Sequence, residues 1–169
     1  MYRIKDDWMV FNGVFNEPLT NVVFPVSIQK IKFGYYFNQE INNLPNNITH
    51  LIFGWKFNQD VSELPNSLTY LDFGHNFNQD VSQLPNSLTC LMFWWDFDQD
   101  ISRFPKSLIY IQIFKYEFEH SLNPYLYHLT GFELRINHKH KAIMENGCKI
   151  NQHNTTIRED NLIDLLLKN

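Results

Sequence analysis

A short phrase returns every twenty residues in this chain: Phe37-Asn38-Gln39, Phe57-Asn58-Gln59, Phe77-Asn78-Gln79 and Phe97-Asp98-Gln99. Leu44-Pro45, Leu64-Pro65, Leu84-Pro85 and Phe104-Pro105 follow seven and eight places later. A fixed period this short marks a solenoid, in which each unit is one coil too small to bury its own apolar face. Burying Phe57, Val61, Leu64, Leu68, Leu71 and Phe73 of one unit is worth on the order of 10 kcal/mol. Fixing twenty backbones costs at least as much. A single coil therefore does not fold alone, and stacking on its neighbours decides the structure.

Aligned, the units read Phe-Asn-Gln-Asp-Val-Ser-x-Leu-Pro-Asn-Ser-Leu-Thr-x-Leu-x-Phe-Gly-x-x. Units 37–56, 57–76 and 77–96 match closely, and 97–116 keeps the apolar skeleton. An earlier unit starts at Phe15-Asn16-Glu17 and carries two extra residues before Phe24-Pro25. A worn one ends the series, with Leu129, Phe132 and Leu134 lying 21 residues after Leu108, Ile111 and Ile113. Leu71 and Phe73 alternate with Tyr70 and Asp72, the period of a strand with one side inward. Gly34, Gly54 and Gly74 follow the strands and suggest a bend at positive φ. Pro65 lacks an N–H, so the Leu-Pro corner belongs opposite the strand, outside any ladder. No α-helix fits around it.

The segment Leu68-x-x-Leu71-x-Phe73-x-x-Asn76 is similar to the leucine-rich-repeat pattern. With Phe-Asn-Gln and Leu-Pro added, the unit more specifically resembles the FNIP repeat of social amoebae and of giant viruses that infect amoebae. The resemblance covers roughly 120 of the 169 residues. It implies a leucine-rich-repeat-like right-handed solenoid used for interaction, often joined to an F-box that recruits ubiquitin ligase. Two departures stand out. Asn76 is alone in its column, which moves the expected asparagine ladder to Asn38, Asn58 and Asn78, with Asp98 fourth. No F-box-like segment precedes Phe15.

The fold expectation is mainly β, one short parallel strand per coil, with little helix except at the C-terminal end. Residues 1–14 are read as an N-terminal cap, 15–136 as five to six coils, and 137–169 as a C-terminal cap. Thr156-Ile157-Arg158-Glu159 forms a capping box there, and Leu162, Ile163, Leu165 and Leu166 give a helix near 157–167 an apolar face. That helix either covers the open end or docks on another protein. Trp8, Val10 and Phe11 close the other end.

Inward positions repeat while outward ones vary. One outward column reads Lys30, His50, Tyr70, Cys90, Tyr110; the next reads Lys32, Ile52, Asp72, Met92, Gln112. The column past the glycine reads Tyr35, Trp55, His75, Trp95, Lys115. A fixed skeleton beside a changing aromatic surface is how a solenoid presents a face to a protein partner. Tyr35, Ile52, Trp55, Tyr70, Asp72, His75, Met92, Trp95 and Tyr110 are the candidate contact residues. Ile52, Trp55, Tyr70, Met92 and Trp95 together would make an exposed apolar patch. The alternative is that the tryptophans fold over the loop edge as packing. A second reading gives Tyr35, Trp55 and Trp95 to a carbohydrate.

Glu40, Asp60, Asp80 and Asp100 form an acidic column, better suited to capping turn N–H groups than to Ca²⁺, since glycine-rich calcium turns are missing. Asp72 is a single acid between Ile52 and Met92, without the second carboxylate a glycosidase needs. No metal-ligand, phosphate-loop or nucleophile motif appears, and His138-Lys139-His140 is the one histidine cluster. Neither an enzyme nor a cofactor is expected. A net charge of −4 gives no pull toward nucleic acid or an anionic membrane. Two cysteines, Cys90 and Cys148, make no disulfide framework. With no secretory leader or spanning apolar run in view, an intracellular, cytoplasmic monomer is expected, in host cytoplasm if viral.

Overall fold

The computed structural model describes residues 1–100, 103–115 and 131–136, with side chains through Phe114. Its strands are β1 (Tyr2–Lys5), β2 (Trp8–Phe11), β3 (Lys30–Lys32), β4 (His50–Ile52), β5 (Tyr70–Asp72), β6 (Cys90–Phe93), β7 (Tyr110–Lys115) and β8 (Gly131–Ile136). They form one sheet in sequence order. All pairings are parallel except β1 with β2. Among the described residues the one helical element is a 3₁₀ turn at Leu19–Asn21. The chain is a β-solenoid. The expected helix near 157–167 lies outside the described residues.

Equal coil length sets the register. Ile31 pairs with Leu51, Leu51 with Leu71, Leu71 with Leu91 and Leu91 with Ile111, and each of the five is fully buried. The two extra residues of the first unit appear as the pairing of Met9 with Ile31. The 21-residue step appears as Ile111 opposite Phe132 and Ile113 opposite Leu134.

Two phenylalanine columns fill the interior beside this aliphatic file. Within a coil, Phe53 and Phe57 stack at 3.6 Å between ring centroids, and Phe73 and Phe77 at 3.8 Å. Between coils, Phe57 lies 6.2 Å from Phe37 and 6.1 Å from Phe77. All these rings are buried, and each coil relies on the coils above and below to cover its apolar face.

Polar ladders run along the outside of the core. The side-chain oxygen of Asn38 accepts from the N–H of Asn58 at 2.9 Å and from Nε2 of Gln59 at 2.9 Å. The same pair of bonds joins Asn16 to residues 38 and 39, Asn58 to 78 and 79, and Asn78 to 98 and 99. The expected ladder therefore exists and starts one coil earlier, at Asn16. At the proline corner, Ser107 Oγ donates to the carbonyl of Leu88 at 2.6 Å. Thr69 and Thr89 donate to the carbonyls of Thr49 and Thr69. Among the described residues, no buried side-chain polar atom lacks a partner.

The glycines differ from expectation. Gly34, Gly54 and Gly74 do not adopt positive φ; a Cβ on each would run into backbone of the coil before it, the carbonyl of Asn12, Gly34 and Gly54 respectively. Close approach of coils requires them, not a left-handed bend. Positive φ occurs instead at Asp6 (48°) and Asp7 (68°). These two residues join β1 to β2 as a tight two-residue hairpin, a conformation that Asp tolerates better than most residues.

Candidate interaction surface

The outward strand positions do not form the exposed patch their sequence suggested. Ile52, Tyr70 and Met92 are buried at 7%, 4% and 3% exposure, clustered with Trp8. Val10, Cys90 and Tyr110 pack on this cluster, half-buried. In-register strands set these side chains shoulder to shoulder, so each covers its neighbour's flank. The Tyr70 hydroxyl donates to Met92 Sδ at 3.3 Å. His50 stacks on Tyr70 at 5.5 Å and meets Trp8 edge-on at 6.1 Å.

Burial sets the chemistry of this cluster. It pushes the Tyr70 hydroxyl far up, with the nearby Asp72 carboxylate adding to the effect. It pushes the Cys90 thiol up to about 12 for the same two reasons. It holds His50 below its ordinary value, helped by the charge of Lys30. All three groups are neutral near pH 7 and none is an activated nucleophile. Asp72 is half-buried and accepts a 2.7 Å bond from Trp94 Nε1. No three His, Cys, Asp or Glu side chains among the described residues surround a point that could hold a metal ion.

Exposed aromatic surface of the repeats lies instead at the bends after β3 and β4. Tyr35 (43%), Tyr36 (52%) and Trp55 (39%) are the exposed rings of this edge. Tyr35 stacks on Trp55 at 5.6 Å, and Trp55 on His75 at 3.5 Å and 6° from parallel. The stack continues through Trp94, 5.0 Å from His75, to Phe114, 4.4 Å further on. Trp95, the residue expected in this column, lies tilted by 40° and 6.4 Å from His75. Trp94 takes over because it replaces the glycine of the earlier coils, and its bond to Asp72 turns the indole into the stack.

The structure thus gathers Tyr35, Trp55 and His75 into one edge with Trp95 at its margin. Ile52, Tyr70, Met92 and Tyr110 belong to a separate packed face, with Asp72 bridging the two through Trp94. Tyr36 and Trp94 escaped the sequence reading. Tyr36 stands one place beyond the aligned column, and Trp94 sits where the repeat prescribes glycine.

The FNIP repeat family matches residues 15–43, 40–74 and 60–93, so residues 15–93 are FNIP repeats. A search of curated proteins gives no match. Among solved structures, the chain is similar to CroV588, titled a novel circular LRR protein structure, at 26% identity and a TM-score of 0.42. That likeness covers 82% of this chain and 35% of the other. The chain therefore spans about a third of that structure's length.

Proposed function

We propose that these FNIP repeats form a protein-binding module that catalyses no reaction and works inside the cell. Its contact surface is the aromatic edge of Tyr35, Tyr36, Trp55 and His75, with Trp95 at the margin. The carrying observation is that Tyr35 and Trp55, stacked on each other, and Tyr36, edge-on to Tyr35, stay 39–52% exposed while the other described large rings of the repeats are buried or half-buried. Tyr and Trp held rigidly lose little entropy on binding and dominate interface energetics. The cluster of Ile52, Tyr70 and Met92 serves as the firm floor behind this edge, and Asp72 and Tyr110 line its border.

Ring geometry favours protein over carbohydrate. A sugar binds on the open face of an aromatic ring, and Trp55 has Tyr35 on one face and His75 on the other. With a ring on each face, what Trp55 offers is its edge, suited to the side chains of a protein. The test is affinity purification from the native cell with wild type and a Tyr35→Ala/Trp55→Ala double variant. Loss of specific partners from a folded variant supports the reading. An unchanged partner set overturns it, and a positive glycan array would transfer the edge to sugar recognition.

A further inference from the structure

Among the described strands the sheet has an open edge at β1, and its chemistry defines what fits there. Among the described strands β1 has one neighbour, β2, and all four of its residues are exposed. The N–H of Asn12 donates to the carbonyl of Met1 at 3.1 Å. With Tyr2 opposite Phe11 and Ile4 opposite Met9, antiparallel alternation makes Arg3 and Lys5 the residues bonded to β2. The backbone N–H and C=O groups of Tyr2 and Ile4 consequently point away from β2, along the free edge.

The two sides of this edge differ. Tyr2 and Ile4 share the side of Phe11 and Met9 and remain 39% and 53% exposed. A cleft of about 410 Å³ lies at the Met1 end of this edge, lined by Tyr2 and Phe11 from this side and by Arg3 and Val10 from the other. On the opposite side Arg3 aligns with Val10 and Lys32, and Lys5 with Trp8 and Lys30. Four cations are thereby gathered on one small face. Among the described residues their one ion pair is an exposed 4.0 Å contact of Lys5 with Asp6, too weak to neutralise the group.

We propose that β1 accepts an extended segment of another protein as an added antiparallel strand, its side chains alternating between apolar and acidic. The apolar ones pack against Tyr2 and Ile4, and the acidic ones meet Arg3 and Lys5. Backbone bonds to Tyr2 and Ile4 supply affinity and the alternation supplies selectivity. A second copy of this chain fits poorly. The two-fold pairing that uses the outward groups of both Tyr2 and Ile4 sets Arg3 opposite Arg3, the one centred on Ile4 sets Arg3 opposite Lys5, and like charges facing each other across strands repel. Cations placed on edge strands commonly block self-association in this way.

The test uses the full chain and two labelled octapeptides, one alternating valine with glutamate and one alternating valine with lysine. Fluorescence anisotropy at low salt is expected to show the glutamate peptide binding at least tenfold more tightly. Ile4→Pro removes one outward N–H without touching the β1–β2 bonds; it is expected to weaken binding at least tenfold with an unchanged unfolding midpoint. An Arg3→Glu/Lys5→Glu variant is expected to reverse the peptide preference, and it decides the matter even where the proline variant misfolds. Absence of binding overturns the proposal, as does equal binding of both peptides or indifference to the charge reversal. Sedimentation showing a dimer that Ile4→Pro dissociates would assign the edge to self-association and equally overturn it.

Discussion

Asn58 and Asn78 stand one coil apart, joined by a 2.9 Å hydrogen bond from the backbone N–H of Asn78 to the side-chain oxygen of Asn58. The same oxygen accepts from Gln79 Nε2 at 3.0 Å. Two donors of one coil thus depend on one atom of the coil before it. Asn58→Leu leaves both without an acceptor in a half-buried site, at a cost of about 1–3 kcal/mol. Asn58→Asp keeps the acceptor and is expected to lie much nearer wild type, since Asp98 occupies this column in the fourth coil. Urea denaturation followed by circular dichroism separates the two variants. Equal loss in both would show that the ladder contributes little.

Gly74 meets the carbonyl of Gly54 so closely that no Cβ fits between them. Gly74→Ala has to push two coils apart, and overpacking of this kind costs about 3 kcal/mol. Gly13 has nothing within 4 Å of a built Cβ. Gly13→Ala should therefore change stability by no more than about 0.5 kcal/mol. The pair of unfolding midpoints tests coil contact separately from glycine's backbone entropy, which both substitutions alter alike.

Much of the fold was legible because a twenty-residue period and a strand register are the same fact. Leu51, Leu71 and Leu91 align in sequence, and equal coils align them in space. The strand face was read less well for a physical reason. Alternation tells which side Tyr70 and Met92 point to, but not whether neighbours on that side are long enough to cover them. Trp94 was missed because a repeat template treats a substituted glycine as wear, whereas here it supplies the next ring of the edge stack. The β1–β2 hairpin had a signal, Tyr2-Arg3-Ile4-Lys5 alternating before the turn-forming pair Asp6-Asp7. Its importance came into view only with the outward direction of the Tyr2 and Ile4 backbone.

Cys90 is a buffered thiol by position. Half-buried beside Asp72, with its pKa pushed up to about 12, it carries a thiolate fraction near pH 8 about a thousandfold below that of an ordinary cysteine. Iodoacetamide treatment of the native protein, mapped by peptide mass, is expected to leave Cys90 unmodified over hours and to label it promptly in urea. Rapid native labelling would mean that the strand face opens far more readily than its packing implies.

Asp60 and Asp80 each close a small turn: the two oxygens of Asp60 accept from the N–H and hydroxyl of Ser62, and those of Asp80 from Ser82. The Ser62 hydroxyl bond leads in holding Asp60 below its ordinary 3.8, and the Ser82 backbone bond leads for Asp80. A carboxylate whose folded value is depressed favours the fold while ionised. Its contribution is fully present well above pH 3.8 and is lost as pH falls below that value through the lower folded one. Both groups are solvent-exposed, so the effect is small and shows best as a slope. An Asp60→Asn/Asp80→Asn variant keeps one acceptor per turn but has nothing to protonate. Its urea midpoint is expected to trail wild type at pH 6 and to converge with it near pH 2. Parallel pH profiles for the two proteins would mean that these turns hold their shape without the carboxylates.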